Sequence, residues 1–182
     1  MKYEIIYIDP PWSYGAKMKI GGSIKKASDA YPTMTEKELN EFPITDFAAD
    51  DCLLFMWVTS PHLECAMRVA KHWGFTYSTV GFVWDKRHIN PGMYTCSQIE
   101  MVLIFKKGKI PSPRGSRNVF QFLQETRTEH SKKPSEIRNR IAEMFPTQKK
   151  IEIFARNSSP GWDTFGNEAS KFDIEDSPLL VM

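Results

Sequence analysis

The segment Tyr3 to Gly15, "YEIIYIDPPWSYG", begins as a buried strand and then stops. Ile5, Ile6, Tyr7 and Ile8 form a continuous apolar run, the pattern of a central strand covered on both faces. Asp9-Pro10-Pro11-Trp12 follows, and its two prolines remove two backbone donors and fix two φ angles. A carboxylate is thus delivered to the end of a strand on a stiffened backbone, with an indole beside it. In open α/β sheets ligands sit just outside the carboxyl ends of the strands, so Asp9 falls where ligands bind. A plain Asp-Pro turn is the bland alternative, and the added Pro and Trp weigh against it.

Working outward, further β-rich runs occur at residues 53–59, 77–84, 100–105 and 150–155, with a weaker one at 119–123. Helical segments lie between them. Ser60-Pro61 predicts a helix start, with Leu63, Ala66, Met67, Ala70 and Trp73 at helical spacing until Gly74. Thr35 and Glu38 have the spacing of a capping box opening a short helix to Phe42. Pro134 opens a third helix, with Ile137, Ile141 and Met144 on one stripe and Pro146 ending it. Alternating strands and helices predict an α/β fold with a mostly parallel sheet flanked by helices.

The chain has 182 residues, 41% of them hydrophobic and 13% aromatic, enough for one domain with a real core, spanning 1–182. The apolar runs are too short to span a bilayer and the N-terminus lacks a signal-peptide cleavage site, so a cytoplasmic, intracellular protein without membrane association is expected. Cys52, Cys65 and Cys96 form no CxxC pair, and the four histidines show no metal-ligand spacing; no metal is expected. Net charge is +2 but unevenly spread. Segment 106–118 holds Lys106, Lys107, Lys109, Arg114 and Arg117 with no acid, and the loop after Trp12 adds Lys17, Lys19, Lys25 and Lys26. Both loops are expected to leave the same edge as Asp9 and to contact nucleic-acid phosphates. Solvated surface charge is the alternative.

Methyl transfer to an exocyclic amine wants the Asp9 arrangement. The amino lone pair of adenine is delocalised into the ring, and an acceptor on each N–H localises it on nitrogen. Asp9 supplies one acceptor and the Pro10 carbonyl, stiffened by Pro11, the other. Trp12, or a nearby aromatic such as Tyr14 or Tyr31, can stack on an extruded base.

With these residues in place the chain resembles the adenine N6-methyltransferases named after the seventy-kilodalton subunit of the eukaryotic mRNA methyltransferase. "DPPW" at 9–12 matches the catalytic signature, and "YPTMT" at 31–35 is similar to the segment that follows it. "LLFMWVTSPHLECAMRVAKHWGF", "VGFVWDK", "EMVLIFKKG", "EHSKKPSEIRNRIAEMFP" and "KKIEIFARNSSPGWDTFGNE" resemble the later units in the family's order.

The resemblance implies a Rossmann-like core with the catalytic motif ahead of the cofactor-binding strand. It implies S-adenosyl-L-methionine as cofactor and S-adenosyl-L-homocysteine as product. Carried over, Asp9, Pro10, Pro11 and Trp12 are catalytic. Tyr31, Lys86, Arg114 and Arg117 are expected at the substrate. Ile8, Asp9, His130, Ser131, Pro134, Arg156, Asn167 and Glu168 are expected at the cofactor, the last two on its ribose. Ile99 stands where the eukaryotic catalytic subunit has a lysine for the methionine carboxylate, so that contact must come from elsewhere. The implied substrate is adenine in nucleic acid, DNA ahead of RNA, in a microbial or phage-infected host cell. A non-catalytic nucleic-acid-binding subunit is the other reading. Whether the chain acts alone, as a homodimer or with a partner subunit stays open.

Overall fold

The computed structural model describes residues 1–13, 33–92, 94–127, 132–155 and 157–166. Seven strands form one sheet in the order β5-β3-β4-β2-β1-β6-β7. In chain order they are β1 (Tyr3–Ile8), β2 (Ala48–Val58), β3 (Thr76–Asn90), β4 (Ser97–Lys107), β5 (Phe122–Gln124), β6 (Lys150–Ile153) and β7 (Asp163–Phe165). The helices are α1 (Glu36–Glu41), α2 (Ile44–Phe47), α3 (Leu63–His72) and α4 (Ser135–Met144), with a short 3-10 turn at Ser60–His62 before α3.

β1 lies inside the sheet because, past Glu4, every residue along it is buried and apolar or aromatic. Ile6 and Ile8 point to one face with Leu54, Met56 and Val58, against Ala66, Val69 and Ala70 of α3. Ile5 and Tyr7 point to the other with Leu53, Phe55 and Trp57, against Ile137 and Ile141 of α4. Both faces are covered, as the unbroken apolar run requires.

Local signals hold where they are strong. Thr35 and Glu38 form the reciprocal capping box of α1, the Thr35 N–H donating to Glu38 Oε2 at 2.7 Å. Pro134 is the N-cap of α4. Gly74 follows α3 at φ 81°, a left-handed conformation that favours glycine. Among the described residues no helix is long and apolar enough to cross a membrane.

The sheet departs from the sequence expectation at β4. Four junctions are parallel, β1–β2, β1–β6, β3–β5 and β6–β7, while β4 runs antiparallel to both β2 and β3. The reversal corrects the placing of the basic segment 106–118. Lys106 is level with Leu53, which is level with Ile5. At about 3.3 Å per residue, Asp9 lies roughly 13 Å further along β1, toward the opposite edge. The chain then runs under the far end of α4, where the Gly115 N–H donates to the Met144 carbonyl at 2.9 Å. Arg114 packs its guanidinium over the Phe145 ring at 4.9 Å, and Arg117 follows three residues later on the same segment. Neither is placed to touch a substrate at Asp9.

Candidate active site

β1 and β6 end together, and β2 runs two residues further, to Val58. Ile8 is the last paired residue of β1, level with Met56 and Ile153, and is fully buried. Only its main chain is available to a cofactor. Asp9 comes next, at the carboxyl edge of the sheet.

Around Asp9 charges alternate across four elements. Lys133, just before α4, holds its Nζ 3.2 Å from Asp9 Oδ2 and 3.0 Å from Glu100 Oε2 on β4. The same ammonium lies 5.3 Å from the Trp57 ring centroid. Glu100 Oε1 in turn accepts from Lys86 Nζ on β3 at 3.2 Å. Burial alone would lower the Lys133 ammonium, but the Asp9 and Glu100 carboxylates outweigh it and hold the group raised. Burial pushes the Glu100 carboxyl up, and the Lys133 and Lys86 ammoniums more than reverse this, leaving it below the usual carboxylate value. Both groups are therefore ionised at neutral pH.

Behind this chain, Glu152 on β6 sits level with Tyr7 and accepts from Arg138 of α4 at 2.6 Å. Burial raises the Glu152 carboxyl, only partly offset by Arg138. The Tyr7 hydroxyl accepts the Trp57 indole N–H, and burial, followed by Glu152, keeps the phenol well above its ordinary value.

The DPPW turn is held by its own backbone. The Pro10 carbonyl accepts the Trp12 N–H at 2.8 Å, the Pro11 carbonyl accepts the Met34 N–H at 2.7 Å, and the Ser13 N–H donates to the Met34 carbonyl at 3.2 Å. Trp12 is only 6% exposed. Its indole N–H donates to the Trp57 carbonyl at 3.1 Å, and one face stacks on His62 at 5.3 Å and 17°. His62 contacts Thr59 Oγ1 at 2.8 Å and the Ser13 carbonyl at 3.3 Å, and burial lowers its pKa below the ordinary 6.5. The indole is engaged in pinning the turn to β2, which corrects its expected part as a base-stacking surface.

Lys86 is also corrected. It is 6% exposed and its ammonium is engaged by Glu100, so it belongs to the charge chain and does not present its side chain to a substrate. Tyr14, Tyr31, His130, Ser131, Arg156, Asn167, Glu168 and the lysines at 17, 19, 25 and 26 lie outside the described residues.

Lys133 was missed by sequence reasoning, and Glu100 was noted without a role. Both left a signal. A lone glutamate heading the apolar run "EMVLIF" needs a buried cation, and Lys133 directly precedes the proline that opens α4.

The edge also carries both left-handed non-glycine residues of the described chain, Arg87 at φ 49° and Phe154 at φ 61°. Such backbone costs free energy and tends to collect at functional sites. Beside Phe154, a Cβ on Gly166 would lie 2.9 Å from the Ala155 N and O atoms, so only glycine allows β7 to close on the end of β6.

The MT-A70 family model matches residues 3–168. The Type II methyltransferase M.MunI of Mycoplasma sp is 49% identical over 188 residues, covering 96% of this chain and 81% of that protein. The N(6)-adenine-specific methyltransferase METTL4 of Homo sapiens is 27% identical over 205 residues, covering 98% and 40%. The human N(6)-adenosine-methyltransferase catalytic subunit METTL3 is 27% identical over 191 residues, covering 99% and 30%. The chain thus spans most of the Mycoplasma protein and less than half of either human one.

Proposed function

The chain belongs to the MT-A70 family, and from that premise we propose that it methylates N6 of adenine in DNA, using S-adenosyl-L-methionine. The observation that carries this reading is Asp9 on its proline-stiffened turn, paired with the half-buried Lys133 ammonium at 3.2 Å. DNA is placed ahead of RNA because the Type II methyltransferase M.MunI is 49% identical over nearly the whole chain.

The described residues suit the cofactor's amino-acid end: Lys133 offers a cation to a carboxylate, Asp9 and Glu100 offer anions to an ammonium, and α4 begins at the same edge. Lys133 thereby stands in for the contact that Ile99 cannot make. Asn167 and Glu168 remain our candidates for the ribose. The bound cofactor supplies an electrophilic methyl group on a sulfonium.

The protein's own part is to hold the amine. Asp9 accepts one N6 N–H, and the Pro10 carbonyl, which already accepts the Trp12 N–H, offers its second lone pair to the other. The nitrogen lone pair would then be free to attack the methyl group that a bound cofactor would supply, the departing sulfur keeping the electrons of the C–S bond. The methylated amine gives its extra proton to Asp9 or to solvent. Lys133 holds the Asp9 side chain in place while this happens.

The test is to incubate the protein with S-adenosyl-L-methionine and DNA or RNA, digest each to nucleosides, and measure N6-methyladenine. Product in DNA that disappears with Asp9→Asn is expected. Product confined to RNA would move the substrate, and none in either would remove the reading.

A further inference from the structure

β3 and β4 do not end with the rest of the sheet. β2 stops at Val58, level with Met101, whereas β3 and β4 stay paired through Trp84 with Glu100, Asp85 with Ile99 and Asn90 with Ser97. The extra length is a two-stranded arm that overhangs the Asp9 edge. A free hairpin of this size is marginal in water, and this one is clamped at its root. Asp85 Oδ1 accepts the Arg87 N–H at 2.9 Å and Asp85 Oδ2 accepts from Gln124 Nε2 at 2.9 Å. Arg87 Nη1 returns to Gln124 Oε1 at 3.2 Å, and the Arg127 N–H donates to the Lys86 carbonyl at 3.1 Å. Lys86, inside the clamp, is the outermost member of the charge chain that ends on Asp9. The arm therefore has a fixed bearing on the catalytic carboxylate.

Its surface has a definite chemistry. Lys86 is buried in the clamp, and residues 87–99, "RHINPGMYTCSQI", include Arg87 and His88 and no acid. Ile89 is 58% exposed and Tyr94 93%. Phe120 and Phe122, also exposed, differ in setting: Arg140 Nη1 already donates to both of their carbonyls, at 2.8 and 3.0 Å. An acid-free basic hairpin with apolar and aromatic side chains bared beside a site for an extruded base has the features of a strand-holding platform.

We propose that the β3–β4 arm beyond Asp85 holds the DNA strand carrying the target adenine, with Ile89 and Tyr94 against bases and Arg87 and His88 beside phosphates. This rests on the DNA-methylating reading above and adds the element that presents the strand. Arg87 keeps donors to spare after its bond to Gln124, and the absence of acid in residues 86–99 leaves the approach of a polyanion unopposed.

The test is the double variant Ile89→Ser/Tyr94→Ser, read by anisotropy on a short fluorescein-labelled, adenine-containing DNA duplex. Removing a stacking platform should weaken binding by about tenfold. KM for DNA should rise in step, with kcat and the calorimetric affinity for S-adenosyl-L-methionine kept. Phe120→Ser, which removes an equally bare ring elsewhere, should leave DNA binding unchanged. Both side chains are solvent-exposed, so melting temperature should hold and serves as the folding control. Unchanged duplex affinity and KM in the double variant would overturn the proposal. So would a wild-type dimer that the double variant splits with DNA affinity intact, since the arm would then be a self-association surface. If the wild type binds duplex but forms no N6-methyladenine, the reaction assignment fails while the binding comparison still decides the arm.

Discussion

Two lysines flank α4 at opposite edges of the sheet, and both are largely removed from water. Lys133, before the helix, faces Asp9 and Glu100, two carboxylates from separate strands. Lys150, after it, donates to the carbonyls of Phe145, Pro146 and Gln148 at 2.9, 3.4 and 2.7 Å, all from the turn it closes. Their electrostatics diverge accordingly. Lys133 is held raised because the two anions outweigh its burial, while Lys150 is lowered by burial, with Glu4 offsetting only part. Neutral dipoles from one turn satisfy a cation and fasten a loop. Ionised partners drawn from distant strands do more, because Lys133 and Glu100 each depend on the other for charge state and position. The candidate active site is recognisable by that dependence.

The sharpest attempt to break this contrast is at Asp9. Asp9→Ala should lower transfer by about 10²- to 10⁴-fold while cofactor affinity stays mostly in place, and Asp9→Asn should be badly impaired despite keeping an acceptor oxygen. Near-normal turnover by Asp9→Ala would end the catalytic reading. Next comes the paired comparison of Lys133→Met and Lys150→Met. The first should cost about 10²-fold in turnover by leaving two carboxylates without their shared cation. The second should lower stability by about 1–3 kcal/mol through three unsatisfied carbonyls, with turnover per folded molecule retained. Denaturant melts run alongside kinetics separate the two, and a folded but inactive Lys150→Met protein would erase the distinction.

A smaller effect belongs to His62, whose folded pKa lies below the ordinary 6.5 because it is buried against Trp12. The unfolded chain takes up the proton first, so stability is full above about pH 6.5 and falls as pH drops toward the folded value. Melting temperature should decline over that window, and His62→Asn should flatten the decline. An unchanged slope would free His62 from this role. The smallest effect is expected at the far edge, where Lys109→Ala/Arg117→Ala should leave duplex affinity and its salt dependence as they are. A slope flattened by one to two units would restore the far edge as a DNA contact, since each phosphate contact contributes about −0.9.

Much of this was legible because its causes are local. The strand into Asp9, the Thr35–Glu38 box and the proline start of α4 each depend on residues within one turn or strand. The direction of β4 is different. "EMVLIF" is equally apolar read either way, and the sign of the reversal was the Asn90-Pro91-Gly92 turn signal between two β-rich runs. Passing over it placed Arg114 and Arg117 at the wrong edge. Trp12 is expected as a stacking ring and Lys86 as a residue at the substrate. Their engagement by Trp57, His62 and Glu100 depends on pairings that no local pattern encodes. β7, three residues long, is too short to leave a periodic signal.

The place of β1 between β2 and β6 has a further consequence, for the order in which the molecule can be built. Ile5 pairs with Leu53 on one side and with Lys150 on the other. Along the chain DPPW comes well before the second neighbour of β1 and before the lysine that meets Asp9. Such distant parallel pairing must meet the entropy of closing a long loop before it gains anything, and it folds slowly for that reason. DPPW is therefore made well before the strand and the lysine that surround it in the folded sheet.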